Sequence, residues 1–168
     1  MKRNAWITGL VALGIIVAIG MSGFSKKSQQ ANISSPLNKG TEIIIGSAQI
    51  ATEVMRTDKE MARGLGGRNQ IGWQEGMLFA YKNAAYPSFW MKDMRFPIDI
   101  VWIRENKVIC VTENIDPQIG ASQSALRLYE PTDFIDNVLE LHAGAVRKFN
   151  IKQGDSVDIR TFTGNTVQ

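Results

Sequence analysis

Charged and aromatic side chains that interrupt apolar β runs are where this sequence could do chemistry. Phe89-Trp-Met-Lys92 alternates, which puts Trp90 and Lys92 on one face and Phe89 and Met91 on the other. In Ile98-Asp-Ile-Val-Trp-Ile103, Asp99 shares a face with Val101 and Ile103, and Ile98, Ile100 and Trp102 take the opposite one. In Val138-Leu-Glu-Leu-His142, Glu140 lies between Val138 and His142 on its face. A charge in an apolar strand is costly when buried alone, so each needs a partner or a solvated cleft. Two accounts follow. In one, Lys92 pairs with Asp99 or Glu140 and only fixes strand register. In the other, the groups line a cleft, with Trp90 as a flat platform, Lys92 as a cation, and Asp99 and Glu140 as hydrogen-bonding carboxylates. Arg63 and Arg68 flank a glycine turn and could add anion-binding forks, or could be ordinary solvated charges. Such a cleft suits a small polar ligand, for example a saccharide or cell-envelope fragment.

Three function classes use these residues differently. A binding or accessory module needs only the platform and its polar rim. A hydrolase would use Asp99 and Glu140 as general acid and base, one of them with a pKa raised by burial. A structural scaffold needs no cleft at all. The sequence has no His-Glu-x-x-His, Cys-x-x-Cys, Gly-x-Ser-x-Gly or phosphate-cradling glycine loop, so no metal, cofactor or catalytic residue is assigned by motif. Gly64-Leu-Gly-Gly fails the dinucleotide pattern, because Asn69 stands at its third glycine position. The single His142 fits a half-exposed strand position, and the single Cys110 sits in a β-branched run as a small hydrophobe. The binding module is the preferred reading.

The elements that must hold these residues are short. Residues 42–45 and 48–54 have strand character, and Thr57-Asp-Lys-Glu60 is a capping box opening a brief helix toward Leu65. Further strands are expected at 76–81, 88–92, 98–103, 107–113, 138–142 and 156–160, a long loop at 114–128, and a second short helix at 144–149. Many short strands with two small helices predict a mostly β domain, a compact sandwich or barrel.

Ahead of this domain, residues 5–24 carry no charge in 20 positions and follow Lys2 and Arg3, enough as one hydrophobic helix to cross a bilayer core. Basic-then-apolar order is also that of a signal peptide, and Ala18-Ile-Gly20 or Gly20-Met-Ser22 offers small residues for cleavage. Residues 1–27 are therefore read as an anchor or cleaved signal, 28–40 as a flexible linker, and 41–168 as the folded domain, held at the outer face of the inner membrane or in the periplasm. The formal charge of +3 belongs to the leader: removing Lys2, Arg3, Lys26 and Lys27 leaves 15 basic and 16 acidic residues. No basic cluster remains to neutralise phosphates, which argues against a nucleic-acid partner. The expected partners are the membrane, through the N-terminal helix, and a small polar ligand.

Several segments in order carry a resemblance: Gly64-Leu-Gly-Gly-Arg68, Gly76-Met-Leu-Phe79, Phe89-Trp-Met-Lys-Asp93, Pro97-Ile-Asp-Ile100, Tyr129-Glu-Pro131, Val138-Leu-Glu-Leu141 with Ala143-Gly144, and Gly154-Asp155. From about residue 50 to 159 the chain resembles the family called domain of unknown function 192. The resemblance implies a small β-rich domain with short helices, often exported in bacteria, and no established activity. Three positions depart from the family pattern: Gly66 stands where Met is usual, Asp93-Met94 replaces an Asn-Thr-like pair, and the loop after Pro117 lacks the cysteines of some members.

Overall fold

Alternating apolar and polar residues generate a ladder of strands, and turn residues separate them. The structure, a computed structural model, describes residues 39–163 together with Thr166 and Val167. The apolar run at 5–24 and residues 28–38 of the expected linker lie outside the described residues. Among the described residues, no helix is long and apolar enough to cross a membrane.

The elements are β1 (Lys39–Ile45), β2 (Ala48–Met55), α1 (Asp58–Arg63), β3 (Glu75–Ala85), β4 (Ile98–Arg104), β5 (Lys107–Ile115), β6 (Ile135–His142), α2 (Ala145–Phe149), β7 (Val157–Thr163) and β8 (Thr166–Val167). A 3-10 turn at Gln123–Ala125 breaks the long loop. The first strand thus begins two residues inside the expected linker. One sheet runs in the order β5-β4-β6-β3-β2-β1-β7-β8. Its pairs are antiparallel except β2 with β3, which run parallel and are joined through α1. The capping box forms as expected: Glu60 N–H donates to Thr57 Oγ1 at 3.3 Å, and Thr57 N–H donates to Glu60 Oε2 at 3.0 Å.

Between sandwich and barrel, the backbone decides for the barrel. The turn before β7 returns to the start of β5, where Val108 N–H donates to the Asp155 carbonyl at 3.0 Å and Gly154 N–H to the Val108 carbonyl at 2.8 Å. Val157 N–H adds a bond to Asn106 at 2.8 Å. The sheet therefore curls until strands far apart in its order meet along part of their length.

Two apolar clusters explain why β4 and β6 are buried on both faces. One takes residues from β1 through β7, including Ile43, Ile50, Leu78, Val101, Leu139 and Val157, and fills the curled interior. The other covers the outer face of β3, β4 and β6, where Phe79, Ile100, Trp102 and Val138 meet Leu65 and Met91 from covering loops. The expected strand at 88–92 is one of those loops. It makes a single bridge, Phe89 with Tyr129, and otherwise lies over the outer cluster. Its in-out alternation survives nonetheless, with Met91 buried and Trp90 and Lys92 exposed.

Candidate functional site

Glu140 and Asp99 are the two buried acidic residues among those described, and the register sends them to opposite faces of the sheet. Cross-strand partners in an antiparallel pair share a face. Asp99 pairs with Leu141, an interior residue, and Glu140 pairs with Ile100, an outer one. An acid/base couple of Asp99 and Glu140 is therefore not formed.

Asp99 is fully buried, and both its oxygens are engaged. Asn114 N–H donates to Oδ1 at 2.8 Å, and Val146 N–H donates to Oδ2 at 2.9 Å. Asn114 has a φ of 52° beside a register irregularity where β5 pairs with the start of β4. Val146 lies in the first turn of α2, whose N-cap is Gly144, a residue without a capping side chain. Asp99 thus supplies the cap that Gly144 lacks. Lys92 is exposed and makes no ion pair among the described residues, so neither the Lys92–Asp99 nor the Lys92–Glu140 register pair is present.

Glu140 has a different setting. It is 6% exposed, and its buried Oε2 has no hydrogen-bond partner. It opens into a cavity of about 210 Å³ between the sheet and the covering loops. Phe79 and Tyr81 of β3 line one side, and Phe89 and Trp90 line another. Met61, Leu65 and Met94 add apolar wall, and Arg63, Lys92 and Ser88 add polar groups. Burial pushes the Glu140 carboxyl up to about 8, against a smaller downward pull from Arg68. Burial also raises the Tyr81 hydroxyl, with the Glu140 charge acting in the same direction. At neutral pH this pocket therefore presents a neutral carboxylic acid.

Local sequence accounts for this geometry. Alternation in β6 points Glu140 outward with Val138. Gly76 permits β3 to approach: a Cβ there would stand 2.9 Å from the Glu140 carbonyl oxygen and 3.0 Å from Ile50. Gly66 does the same for the loop bearing Lys92, since its Cβ would meet the Arg63 and Lys92 carbonyls at 3.0 and 3.4 Å. The glycine turn thus draws α1 and the 88–94 segment together over Glu140.

Of the six sequence candidates, Trp90, Lys92, Glu140 and Arg63 line this one cavity. Asp99 is on the other face, and Arg68 is turned to Glu53 in a two-pronged bond of 2.6 and 2.7 Å. That guanidinium holds the Glu53 carboxyl below its usual range. Sequence reasoning missed Phe79, Tyr81 and Ser88; Phe79 and Tyr81 were legible as alternate residues on the face of β3 that meets Val138, while Ser88 carried no signal. His142 stacks on Trp73 with ring centroids 4.2 Å apart, and its Nδ1 lies 2.8 Å from the Ala143 carbonyl. Among the described residues, no three His, Cys, Asp or Glu side chains group as metal ligands.

With this geometry in view, comparison with known proteins is informative. The family model for DUF192, described as an uncharacterized ACR, matches residues 41–159. The chain belongs to the DUF192 family. Among solved structures, this DUF192 domain is similar to a protein of unknown function from Novosphingobium aromaticivorans, at 25% identity and a TM-score of 0.63. That match covers 70% of this chain and 83% of the other. A protein from Sinorhizobium meliloti, named as a candidate transcription regulator, matches at 24% identity with a TM-score of 0.62, covering 72% of this chain and 92% of that one. The second likeness shows the DUF192 fold alone. No curated protein matches the chain.

Proposed function

We propose that this DUF192 domain is a small-ligand binding module held outside the cytoplasm. One observation carries the binding reading: a buried carboxyl oxygen without a partner faces a cavity walled by aromatic rings. Buried polar atoms are nearly always satisfied, and one that faces a cavity without a protein partner is placed to bond a ligand group or a water. Binding is preferred to hydrolysis because the cavity lining gives Glu140 no second carboxylate, imidazole or thiol to share proton transfers. The address outside the cytoplasm rests on the uncharged run after Lys2 and Arg3.

Both parts are open to direct test. A thermal-shift screen of small polar metabolites and saccharides on the full chain should find compounds that raise the melting temperature, as binding to the folded state requires. Trp90→Ala and Glu140→Gln should weaken that shift while the barrel still folds. A hit that stabilises both variants as well as the parent would remove this pocket from consideration. Protease added to spheroplasts should digest the domain, and protection inside the cytoplasm would overturn the address.

A further inference from the structure

We propose that the Glu140 pocket takes the alkylammonium end of a zwitterionic ligand, whose anionic group meets Arg63 and Lys92 at the same cavity. This deepens the binding reading above and rests on it. Four aromatic residues, Phe79, Tyr81, Phe89 and Trp90, line the cavity together with the unpartnered Glu140. Aromatic faces attract a cation through their quadrupoles, most strongly where water is excluded, and one carboxylate completes the charge match. A polyhydroxylated ring fits less well. It needs several convergent hydrogen-bonding groups, yet the Ser88 hydroxyl is already donated to Glu130 Oε1 at 2.6 Å, and Phe, Met and Leu side chains make up much of the remaining wall. A purely apolar ligand would leave the Glu140 oxygen unsatisfied, at a cost comparable to a lost hydrogen bond.

The cations select for a second charge. Arg63 and Lys92 line the cavity and make no ion pair among the described residues. They also border a larger, neighbouring cavity of about 680 Å³ that includes Arg95. A bare cation would enter against these charges, whereas a ligand carrying its own carboxylate or phosphate would be drawn to them. The order is thus ammonium inward among the rings and anion at the two basic side chains.

Binding of this kind moves a proton. The carboxylic proton of Glu140 leaves for solvent as the ammonium arrives, and the bound pair is carboxylate with cation. Around that carboxyl the cavity is lined by Tyr81 from β3, Arg63 from α1 and Lys92 from the covering segment, β4 presents Ile100, and Arg68 acts through its charge from its bond to Glu53. Arg68 already favours the ionised form. An ammonium in the pocket acts in the same direction.

Isothermal titration of the full, detergent-solubilised chain with phosphocholine, tetramethylammonium, inorganic phosphate and N-acetylglucosamine tests this. Phosphocholine should bind at least about tenfold more tightly than the other three, because it alone satisfies both ends. Titration in buffers of different ionisation heat should show close to one proton released per site near pH 7. Affinity should rise on the order of eightyfold from pH 6 to pH 8.5, since the binding-competent carboxylate grows by that proportion around a pKa of about 8. Glu140→Gln should abolish proton release and lower phosphocholine affinity at least about tenfold, whereas a double Arg63→Ala, Lys92→Ala variant should weaken phosphocholine and spare tetramethylammonium. Capture of the parent chain by phosphatidylcholine vesicles, lost in Glu140→Gln and competed by phosphocholine, would make a lipid headgroup the source; binding of the free compound alone would make it a soluble metabolite. Phosphocholine binding that is flat with pH or unchanged in Glu140→Gln overturns the proposal. Saccharide binding without any ammonium binding overturns it and leaves the pocket standing as a ligand site. No binding by any compound, here and in the broader screen, removes both.

Discussion

Glu140 is the residue where sequence, fold and electrostatics meet most sharply. Its folded pKa of about 8 lies above the ordinary value of 4.5, so between those limits the folded chain holds a proton that the unfolded chain has released. Stability from this group is therefore undiminished below about pH 4.5, falls as pH rises toward 8, and levels off beyond. Gln keeps the shape and cannot ionise. The difference in unfolding free energy between Glu140→Gln and the parent should thus grow with pH, by on the order of 3–5 kcal/mol across this window. Subtracting the two curves cancels the other titrating groups, and urea unfolding from pH 5 to pH 8.5 measures it. A difference curve that stays flat would mean that water or a relaxed side chain already satisfies the carboxyl. The presence of a charge in an apolar strand was legible from Val138-Leu-Glu-Leu-His142. Its lack of a partner was not, because that depends on where Arg68 goes, and Arg68 goes to Glu53.

At the scale of elements, Asp99 shows how the same sequence signal can have the opposite meaning. It too interrupts an apolar strand, yet its oxygens tie α2 to β4 through Val146 and secure the irregular start of the β4–β5 pairing through Asn114. Those partners lie 47 and 15 residues away, beyond any periodicity argument. Asp99→Ala should leave the buried Val146 N–H and the more accessible Asn114 N–H without their acceptor and destabilise the domain by about 2 kcal/mol or more. Asp99→Asn keeps one acceptor oxygen and should cost less. Amide exchange should accelerate at Asn114 and Val146 first, and unchanged exchange at both would show that the bonds carry little weight. The 88–92 segment carries a related lesson. It alternates because Phe89 and Met91 plug the outer cluster: Phe89 packs edge-on against Phe79 at 5.0 Å and Trp102 at 5.5 Å between centroids. A loop lying flat on a core and a strand in a ladder can share the same alternation, and only hydrogen-bond partners distinguish them. The helix of the capping box was readable from four residues. The parallel pairing it connects, β2 with β3, was not.

For the whole molecule, strand content was legible, but the curl that makes a barrel was not, because it depends on two turns meeting. Glu105-Asn106 and Gly154-Asp155 each announce a turn in sequence, and the bonds that join the two regions run between residues 106–108 and 154–157, far beyond local reach. The position of β1 has the same non-local origin and bears on where the folded unit starts. β1 lies between β2 and β7, paired at five positions with one and seven with the other. It also contributes Ile43 and Ile45 to the interior, both fully buried. Losing two such side chains alone costs about 4–10 kcal/mol by analogy with core truncations, comparable to the whole stability of a typical domain. A chain shortened to residues 47–168 should therefore fail to fold, with no cooperative thermal transition. One shortened to 38–168 keeps all of β1 and discards only the expected anchor or signal and a linker whose composition offers no apolar periodicity to pack, so it should melt within a degree or two of the full chain. A deletion through residue 40 removes two positions of the β1–β7 ladder and should fall between them. Circular dichroism melts of the three chains decide the matter: if the 38–168 chain melts several degrees lower, the residues before it contribute to the fold, and if the 47–168 chain melts cooperatively, β1 is an accessory strand.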